Sequence, residues 1–185
     1  MLVLASSSPR RREILTAAGF DFIVRAPEIP EVRRAPESPI DYVRRLAYEK
    51  ARAVPMNPGE TILAADTTVV IGEELLEKPR DAWDATRMLL LLSDATHDVI
   101  TGICLLHGER TMVDATVTRV QFAKLSDAEI AEYIASGEPM GKAGAYAIQG
   151  LASKFVERVE GCYFNVVGLP VALVYRNLKA IGAIP

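Results

Sequence analysis

The sequence predicts an α/β fold, and two observations support this prediction. Residues 61–72 are almost continuously apolar, which is typical of a strand buried on both faces inside an α/β sheet. Segments with helical spacing of apolar residues alternate with shorter apolar runs along the rest of the chain. Half of the 185 residues are apolar, which is enough for a substantial core. Residues 1–185 therefore suit one domain or two tightly joined lobes.

Apolar runs, alternation and capping residues place the individual elements. The predicted strands cover residues 2–5, 22–25, 61–72, 96–106, 111–123 and 155–159, the fourth and fifth being joined near Gly108 as a hairpin. The predicted helices cover residues 9–18, 39–54, 82–92, 127–136 and 170–181. Loops are predicted at 26–37, at 138–150 and around Gly161 and Asn165. Trp83 and the run 88–92 are predicted to lie in the core.

Charge and composition limit the classes of function. The net charge is −3, which argues against a general coat for nucleic acid, while positive charge is concentrated at 10–12, 33–34 and 44–45. This pattern favours a small anionic ligand. Cys104 and Cys162 lack metal-ligand spacing and are interpreted as free thiols in a reducing compartment. We find no signal peptide and no apolar run that could span a bilayer, so we expect a soluble, cytoplasmic protein.

The first turn of the chain is its most informative feature. Residues 2–5 lead into Ser6-Ser7-Ser8, followed by Pro9 and the three arginines 10–12. Ser8 is a good N-cap and Pro9 a good first helical residue, so backbone N–H groups, hydroxyls and guanidinium groups point at one spot. This arrangement suits several phosphate oxygens, and a capped surface helix with solvated arginines is the alternative. The glycine and lysine pattern of a Walker loop is absent.

A carboxylate, Asp66, interrupts the apolar strand 61–72. Burying it is costly unless it is paired or binds a metal, and acids at the carboxyl end of a buried strand line the ligand crevice of open α/β sheets. Glu28 and Glu31 can complete an oxygen-ligand site for a divalent cation, or can simply be solvated. Lys50 lies on the apolar stripe of its helix and either extends to solvent or reaches into a cleft.

Two later segments contain further candidate residues. Glu77-Lys78-Pro79 is a rigid turn whose lysine can bind phosphate, although an exposed surface turn gives the same pattern. Residues 141–150 combine three glycines with a lysine and with Gln149, which looks buried and offers both a donor and an acceptor for a base edge. A flexible loop is the alternative for this segment. His97 and His107 have no partner in sequence and are interpreted as structural or exposed.

Five motifs occur along the whole chain: Ser6-Ser7-Ser8-Pro9-Arg10-Arg11, Ala65-Asp66-Thr67, Glu77-Lys78-Pro79, residues 142–150, and Asn165-Val166-Val167-Gly168-Leu169-Pro170. In their order and spacing the chain resembles the Maf family. The resemblance implies a nucleoside triphosphate pyrophosphatase that cleaves between the α and β phosphates with Mg²⁺ or Mn²⁺. It implies a fold similar to that of inosine triphosphatases, with two lobes around a long mixed sheet and a central cleft. The form Tyr146-Ala147-Ile148-Gln149-Gly150 implies the branch that acts on dTTP and UTP.

The resemblance also implies a role for each site residue. Asp66 matches the acid assigned as proton acceptor, and it also matches a metal position together with Glu31. The positions associated with pyrimidine specificity are occupied by Arg10, Thr67 and Gln149. The phosphates are expected to contact Ser8, Arg10, Arg11, Lys50 and Lys78, of which the two lysines are also expected to be catalytic. Whether Asp66 is a metal ligand, a base or both is left open.

Two rival functions are compatible with the same motifs. A related branch acts on 7-methyl-GTP but has an acid where this chain has Gln149. A nucleotide-binding regulator of cell division or septum formation is the non-enzyme alternative, and the set Asp66, Lys50 and Lys78 favours catalysis over it. The resemblance further implies a homodimer. No polymeric nucleic acid and no membrane is expected as a partner.

Overall fold

The computed structural model describes residues 1–185 and shows an α/β fold built on a mixed seven-stranded sheet. The strands are β1 (Leu2–Ala5), β2 (Phe22–Val24), β3 (Thr61–Ile71), β4 (Glu74–Leu76), β5 (Thr96–His107), β6 (Arg110–Phe122) and β7 (Val156–Glu160). The helices are α1 (Pro9–Ala17), α2 (Pro39–Arg52), α3 (Ala82–Leu92), α4 (Asp127–Ala135), α5 (Tyr163–Val167) and α6 (Val171–Ala180).

The strand order is β2-β1-β3-β5-β6-β7, and β4 pairs with β3 outside this path. β1 is parallel to both β2 and β3, whereas β4 is antiparallel to β3 and β7 is antiparallel to β6. The predicted α/β class and mixed sheet are therefore confirmed. A continuous apolar run correctly predicted β3, because all residues from Thr61 to Asp66 are buried.

Backbone contacts divide the chain into two compact units. Unit 1 comprises Met1–Thr67, Thr101–Thr116 and Gly168–Pro185, and unit 2 comprises Thr68–Ile100 and Val117–Val167. The core of unit 1 is made largely of small and branched side chains, among them Val3, Ala5, Ala47, Ile62 and Cys104. The core of unit 2 includes larger side chains, among them Leu76, Leu89, Phe122 and Phe155.

In unit 1, helix α2 lies unusually close to the sheet at Gly102. A Cβ atom there would lie 2.5 Å from the carbonyl oxygen of Val43, so only glycine permits this approach. Val43, Ala47 and Lys50 are spaced by four and three residues and are all buried, so they share the face of α2 that packs on the protein. The helix starts where the sequence predicts, because the side chain of Ser38 accepts a hydrogen bond from a backbone N–H of the first turn.

Three predictions about the fold are wrong. Trp83 is 70% exposed instead of buried, because α3 packs through Ala85, Met88, Leu89 and Leu92 on its other side. Leu90 and Leu91, also expected in the core, are exposed for the same reason. The stretch around Gly161 and Asn165, expected to be a loop, contains the short helix α5, which is too brief to show a helical period. The three-residue strand β4 was not predicted either.

Candidate active site

The turn between β1 and α1 is organised by Ser6. Its side chain is buried, and its Oγ accepts hydrogen bonds from the Ser8 backbone N–H at 3.2 Å and from Nη1 of Arg11 at 3.1 Å. Ser8 occupies the N-cap position as predicted, but its side chain does not cap the helix. The hydroxyl of Ser8 and the first N–H groups of α1 therefore remain available to a ligand.

Arg11 fixes the geometry of this part of unit 1. Its Nε donates to the carbonyl oxygen of Gly168 at 2.8 Å, and its Nη2 donates to Oγ1 of Thr67 at 3.2 Å. Burial lowers the pKa of this guanidinium, and the negative charge of Asp66 partly opposes the effect. Arg11 uses one N–H on each nitrogen in these contacts and in the contact to Ser6, so two of its five N–H groups remain for a ligand.

Thr67 links Arg11 to the adjacent strand. Its hydroxyl lies 2.9 Å from that of Thr101 and 3.4 Å from the carbonyl oxygen of Gly168. Thr67 directly follows Asp66 on β3, so the contacts of Thr67 also fix the backbone next to the acid. The predicted specificity residue is thus engaged with the protein itself.

The buried carboxylate of Asp66 is paired with Lys50. The Nζ atom of Lys50 donates to Oδ1 of Asp66 at 2.6 Å, and Lys50 and Asp66 are 7% and 6% exposed. The same Nζ lies 2.6 Å from Oε1 of Glu31, in the loop between β2 and α2. One ammonium group therefore joins the two carboxylates that the sequence predicts to act together. Lys50 extends inward to this pair and does not reach the solvent, which resolves the two alternatives for this residue.

The side chain of Arg10, unlike that of Arg11, makes no hydrogen bond to the protein. It is half-buried, and burial lowers the pKa of its guanidinium, an effect that Glu13 partly opposes. A partly desolvated cation without a hydrogen-bonded partner is well suited to bind an anion. The prediction that Arg10 takes part in ligand binding fits this environment.

A divalent cation fits the acidic pair of unit 1 only with ligands from a substrate. No three His, Cys, Asp or Glu side chains cluster in a way that could hold a metal, and Glu28 is exposed. Asp66 and Glu31 lie close together, since each contacts Nζ of Lys50, and the ammonium group occupies the point between them. Mg²⁺ is commonly held by one or two carboxylates together with substrate phosphates and water, and this pair matches that donor set.

Two further predicted residues, Lys78 and Gln149, lie in unit 2. Lys78 is exposed on the turn after β4, which Pro79 and a hydrogen bond from the Gly144 N–H to the Glu77 carbonyl oxygen (3.2 Å) hold in place. Gln149 is exposed, so the expectation that it is buried is wrong; its neighbour Ile148 is the residue that packs into the core. An exposed amide keeps its donor and acceptor available for a ligand.

Sequence reasoning missed three groups that shape the unit 1 site: the hydroxyls of Ser6 and Thr101 and the carbonyl oxygen of Gly168. Ser6 could have been found, because it ends a buried strand just before the predicted anion site. Thr101 lies in a predicted strand in which polar and apolar residues alternate, so nothing in the sequence distinguishes it from its neighbours. Gly168 was noted only as a residue of the motif 165–170, and its carbonyl oxygen was not predicted to contact the site.

The fold and the site define an α/β protein with an acid–lysine pair and an arginine-braced turn in one unit. The family model for Maf-like protein matches residues 1–181. The chain therefore belongs to the Maf family, as its motifs indicate. No helix of the structure has both the length and the apolar character needed to cross a membrane.

The relatives share about half of their residues with this chain. It is 50% identical over 184 residues to the dTTP/UTP pyrophosphatase of Koribacter versatilis (strain Ellin345), covering 99% of this chain and 95% of the relative. It is 52% identical over 185 residues to the protein of the same name from Anaeromyxobacter dehalogenans (strain 2CP-C), covering 98% and 94%. A nucleoside-triphosphatase / dITP/XTP pyrophosphatase from Mycobacterium abscessus is similar with a TM-score of 0.43 and 16% identity, covering 100% of this chain and 97% of that one.

Proposed function

We propose that this chain is a nucleoside triphosphate pyrophosphatase that hydrolyses dTTP and UTP to the monophosphate and diphosphate. The observation that supports the proposal most is the buried Asp66, paired with Lys50 and lying next to the Arg11-braced turn. Hydrolysis of a phosphoanhydride depends on neutralising charge and aligning water more than on covalent chemistry. Two relatives of about 50% identity that bear the name dTTP/UTP pyrophosphatase support the substrate assignment.

In this proposal Asp66 orients the attacking water and accepts its proton, as the water oxygen bonds to phosphorus and the bridging oxygen leaves with the diphosphate. Lys50 holds the carboxylate of Asp66 in place and offers positive charge to the phosphates. We assign phosphate binding to Ser8, Arg10, Arg11 and Lys78 from the motifs in which they lie, and to Lys50 from its place beside Asp66.

A divalent cation, Mg²⁺ or Mn²⁺, would be held by Asp66 and Glu31 together with substrate oxygens. When bound, it would neutralise phosphate charge and lower the pKa of a bound water. Lys50 connects the two carboxylates and so keeps them close enough to serve one ion. Titration calorimetry with Mn²⁺, with and without a non-hydrolysable UTP analogue, tests this assignment; we expect tight binding only with the analogue.

Gln149 is the residue we assign to base selection. Its Oε1 can accept the N3–H of uracil or thymine while its Nε2 donates to O4. Cytosine presents the opposite pattern, which the amide matches when it is flipped, so a further group must hold the amide in one orientation. Arg10 and Thr67 are proposed as further specificity residues. Thr67 would act through its contacts to Arg11 and Thr101, since its hydroxyl is already engaged there.

Product analysis by chromatography tests the proposed function directly. The protein is incubated with Mg²⁺ or Mn²⁺ and separately with UTP, dTTP, CTP, GTP and 7-methyl-GTP. We expect UMP and dTMP with diphosphate, and little product from the purine nucleotides. Monophosphate from 7-methyl-GTP alone would keep the chemistry and overturn the base assignment, while binding without turnover would favour a regulator.

We further propose that the enzyme removes nucleotides from the cytoplasmic pool. We also propose that it acts as a homodimer. Light scattering coupled to gel filtration measures the mass in solution, and a mass near the 20.2 kDa of one chain would contradict the dimer.

A further inference from the structure

Glu138 in unit 2 has no role in the reaction proposed above, yet it binds the segment that contains Gln149. It is half-buried and follows the end of α4. Its Oε1 accepts a hydrogen bond from the Tyr133 hydroxyl at 2.9 Å and one from the Ala152 N–H at 3.4 Å. Its Oε2 accepts the Leu151 N–H at 3.1 Å. One carboxylate thus fixes two consecutive backbone groups just beyond Gln149.

The absence of a side chain at position 150 makes room for this carboxylate. A Cβ atom on Gly150 would lie 2.2 Å from Oε2 and 2.5 Å from Oε1 of Glu138. The φ angle of Gly150 is −107°, which other residues also adopt, so the backbone conformation does not by itself call for glycine. The close approach of Glu138 is what requires it.

The same arrangement fixes the chain before Gln149. The Tyr133 hydroxyl, which donates to Glu138, also accepts the Ala147 N–H at 3.2 Å. Burial, with a further contribution from the hydrogen bond to Glu138, raises the pKa of Tyr133, so this hydroxyl stays protonated and keeps its role as donor. Backbone groups on both sides of Gln149 are therefore tied to one Tyr133–Glu138 pair.

We propose that Glu138 is a positioning residue for base selection, which acts by fixing the backbone on both sides of Gln149. The proposal rests on the proposed function, in which Gln149 contacts the base. A two-point contact between an amide and a base edge depends on the orientation of the amide, and an exposed side chain obtains that orientation from its backbone. Glu138 touches neither substrate nor metal in this account.

Glu138→Gln tests the proposal, because it keeps the size of the side chain but replaces one accepting oxygen with an NH₂ group. That group cannot accept the backbone N–H that the oxygen accepts. We expect the ratio of kcat/KM for UTP to kcat/KM for CTP to fall about tenfold, the effect of one lost hydrogen bond, mainly through a higher KM for UTP. Glu132→Gln, in the helix α4 that precedes Glu138, is the control, because Glu132 is exposed and its ion pair with Lys154 is long, at 3.8 Å; its ratio should stay at the parent value.

Gly150→Ala provides a second approach from the other side of the contact. Its Cβ displaces the carboxylate, so it should lower the same ratio even if Glu138→Gln does not fold. Adding Glu138→Ala to Gly150→Ala removes the clash, so the two changes should combine to less than the product of their separate effects.

The outcomes separate the proposal from the function on which it rests. A fall in the ratio for Glu138→Gln and for Gln149→Ala supports both. An equal loss of kcat/KM for UTP and CTP in Glu138→Gln, with a lower melting temperature, would show a merely structural role and overturn the positioning role alone. An unchanged ratio in Gln149→Ala would overturn the assignment of base selection to Gln149 and with it the positioning role. No hydrolysis of either nucleotide by the parent would overturn the proposed function.

Discussion

The two units hold their candidate residues in opposite ways. In unit 1 the polar side chains are bonded to one another, the buried Asp66 to the buried Lys50 and the half-buried Arg11 to the half-buried Thr67. In unit 2 the side chains of Lys78 and Gln149 are exposed, and the structure fixes the backbone that bears them. Changes at the unit 1 site should therefore affect activity and stability, because a buried charge left without its partner is costly. Changes at the exposed residues of unit 2 should leave stability unchanged and affect only phosphate binding, at Lys78, or selectivity, at Gln149.

Asp66→Asn should give the largest effect. It removes the proposed proton acceptor and one metal ligand while keeping the size of the side chain, so we expect turnover of UTP to fall by about a thousandfold or more. The fold and nucleotide binding should be retained, because Lys50 keeps its ion pair with Glu31, while the melting temperature should fall because the buried pair is lost. Asp21→Asn, at an exposed position of the same unit, is the control and should keep full activity. Equal loss of binding and folding in the Asp66 variant would make Asp66 a structural residue.

Lys50→Met tests the stability part of the comparison. It leaves the buried Asp66 without its cation, which should lower the free energy of unfolding by about 3–5 kcal/mol, measured by urea denaturation. Adding Asp66→Asn removes the unpaired charge, so the double variant should be more stable than Lys50→Met alone. A loss below about 1 kcal/mol, as for an exposed ion pair, would show that the pair is more hydrated than its burial indicates.

His97 tests whether stability depends on buried polar groups in unit 1 alone, because it is a buried titratable group in unit 2. Burial lowers its pKa from 6.5 to about 4, and its Nε2 lies 2.9 Å from the Tyr146 hydroxyl. In the unfolded state His97 binds a proton more readily than in the folded state. Its contribution to the free energy of unfolding is therefore fully present above pH 6.5 and is lost, by about 3 kcal/mol, as the pH falls toward 4. Thermal unfolding from pH 7 to pH 4 measures this slope.

His97→Phe should reduce the pH dependence of stability that the histidine causes. Tyr146→Phe should keep it, since burial and not the hydrogen bond lowers the pKa. The same slope in the parent and in His97→Phe would assign the acid sensitivity to other groups of the protein.

The sequence predicted most elements because local signals determine them. Ser126 and Glu129 form the expected capping box, and Gly19 has the positive φ expected of a residue that ends a helix. The sequence could not show which side of α3 meets the core, and Trp83 was therefore misplaced. An apolar residue is compatible with either face when its helix is apolar on most sides.

The candidate site was predicted less completely than the fold. A lone acid in a buried strand requires a partner or a metal, and the sequence analysis placed Lys50 on an apolar stripe without pairing it with Asp66. Which of three consecutive serines braces the first turn depends on atomic positions, so Ser6 was not separated from Ser8. The glutamate that supports the backbone around Gln149 was missed because its contacts link residues 13 and 14 positions apart in an irregular segment.

Gln149→Glu should give the smallest effect, and it tests whether an exposed unit 2 residue changes selectivity without changing stability. A carboxylate still accepts the N3–H of uracil but cannot donate to O4, so the ratio of kcat/KM for UTP to that for CTP should fall roughly tenfold to a hundredfold. Guanine presents two adjacent donors, which a carboxylate can accept, so turnover of 7-methyl-GTP should rise. Because Gln149 is exposed, the melting temperature should not change. Gln121→Glu adds the same charge on β6 and should alter neither the UTP/CTP ratio nor the turnover of 7-methyl-GTP. If it reproduces the shift in the ratio, net charge rather than base contact determines selectivity.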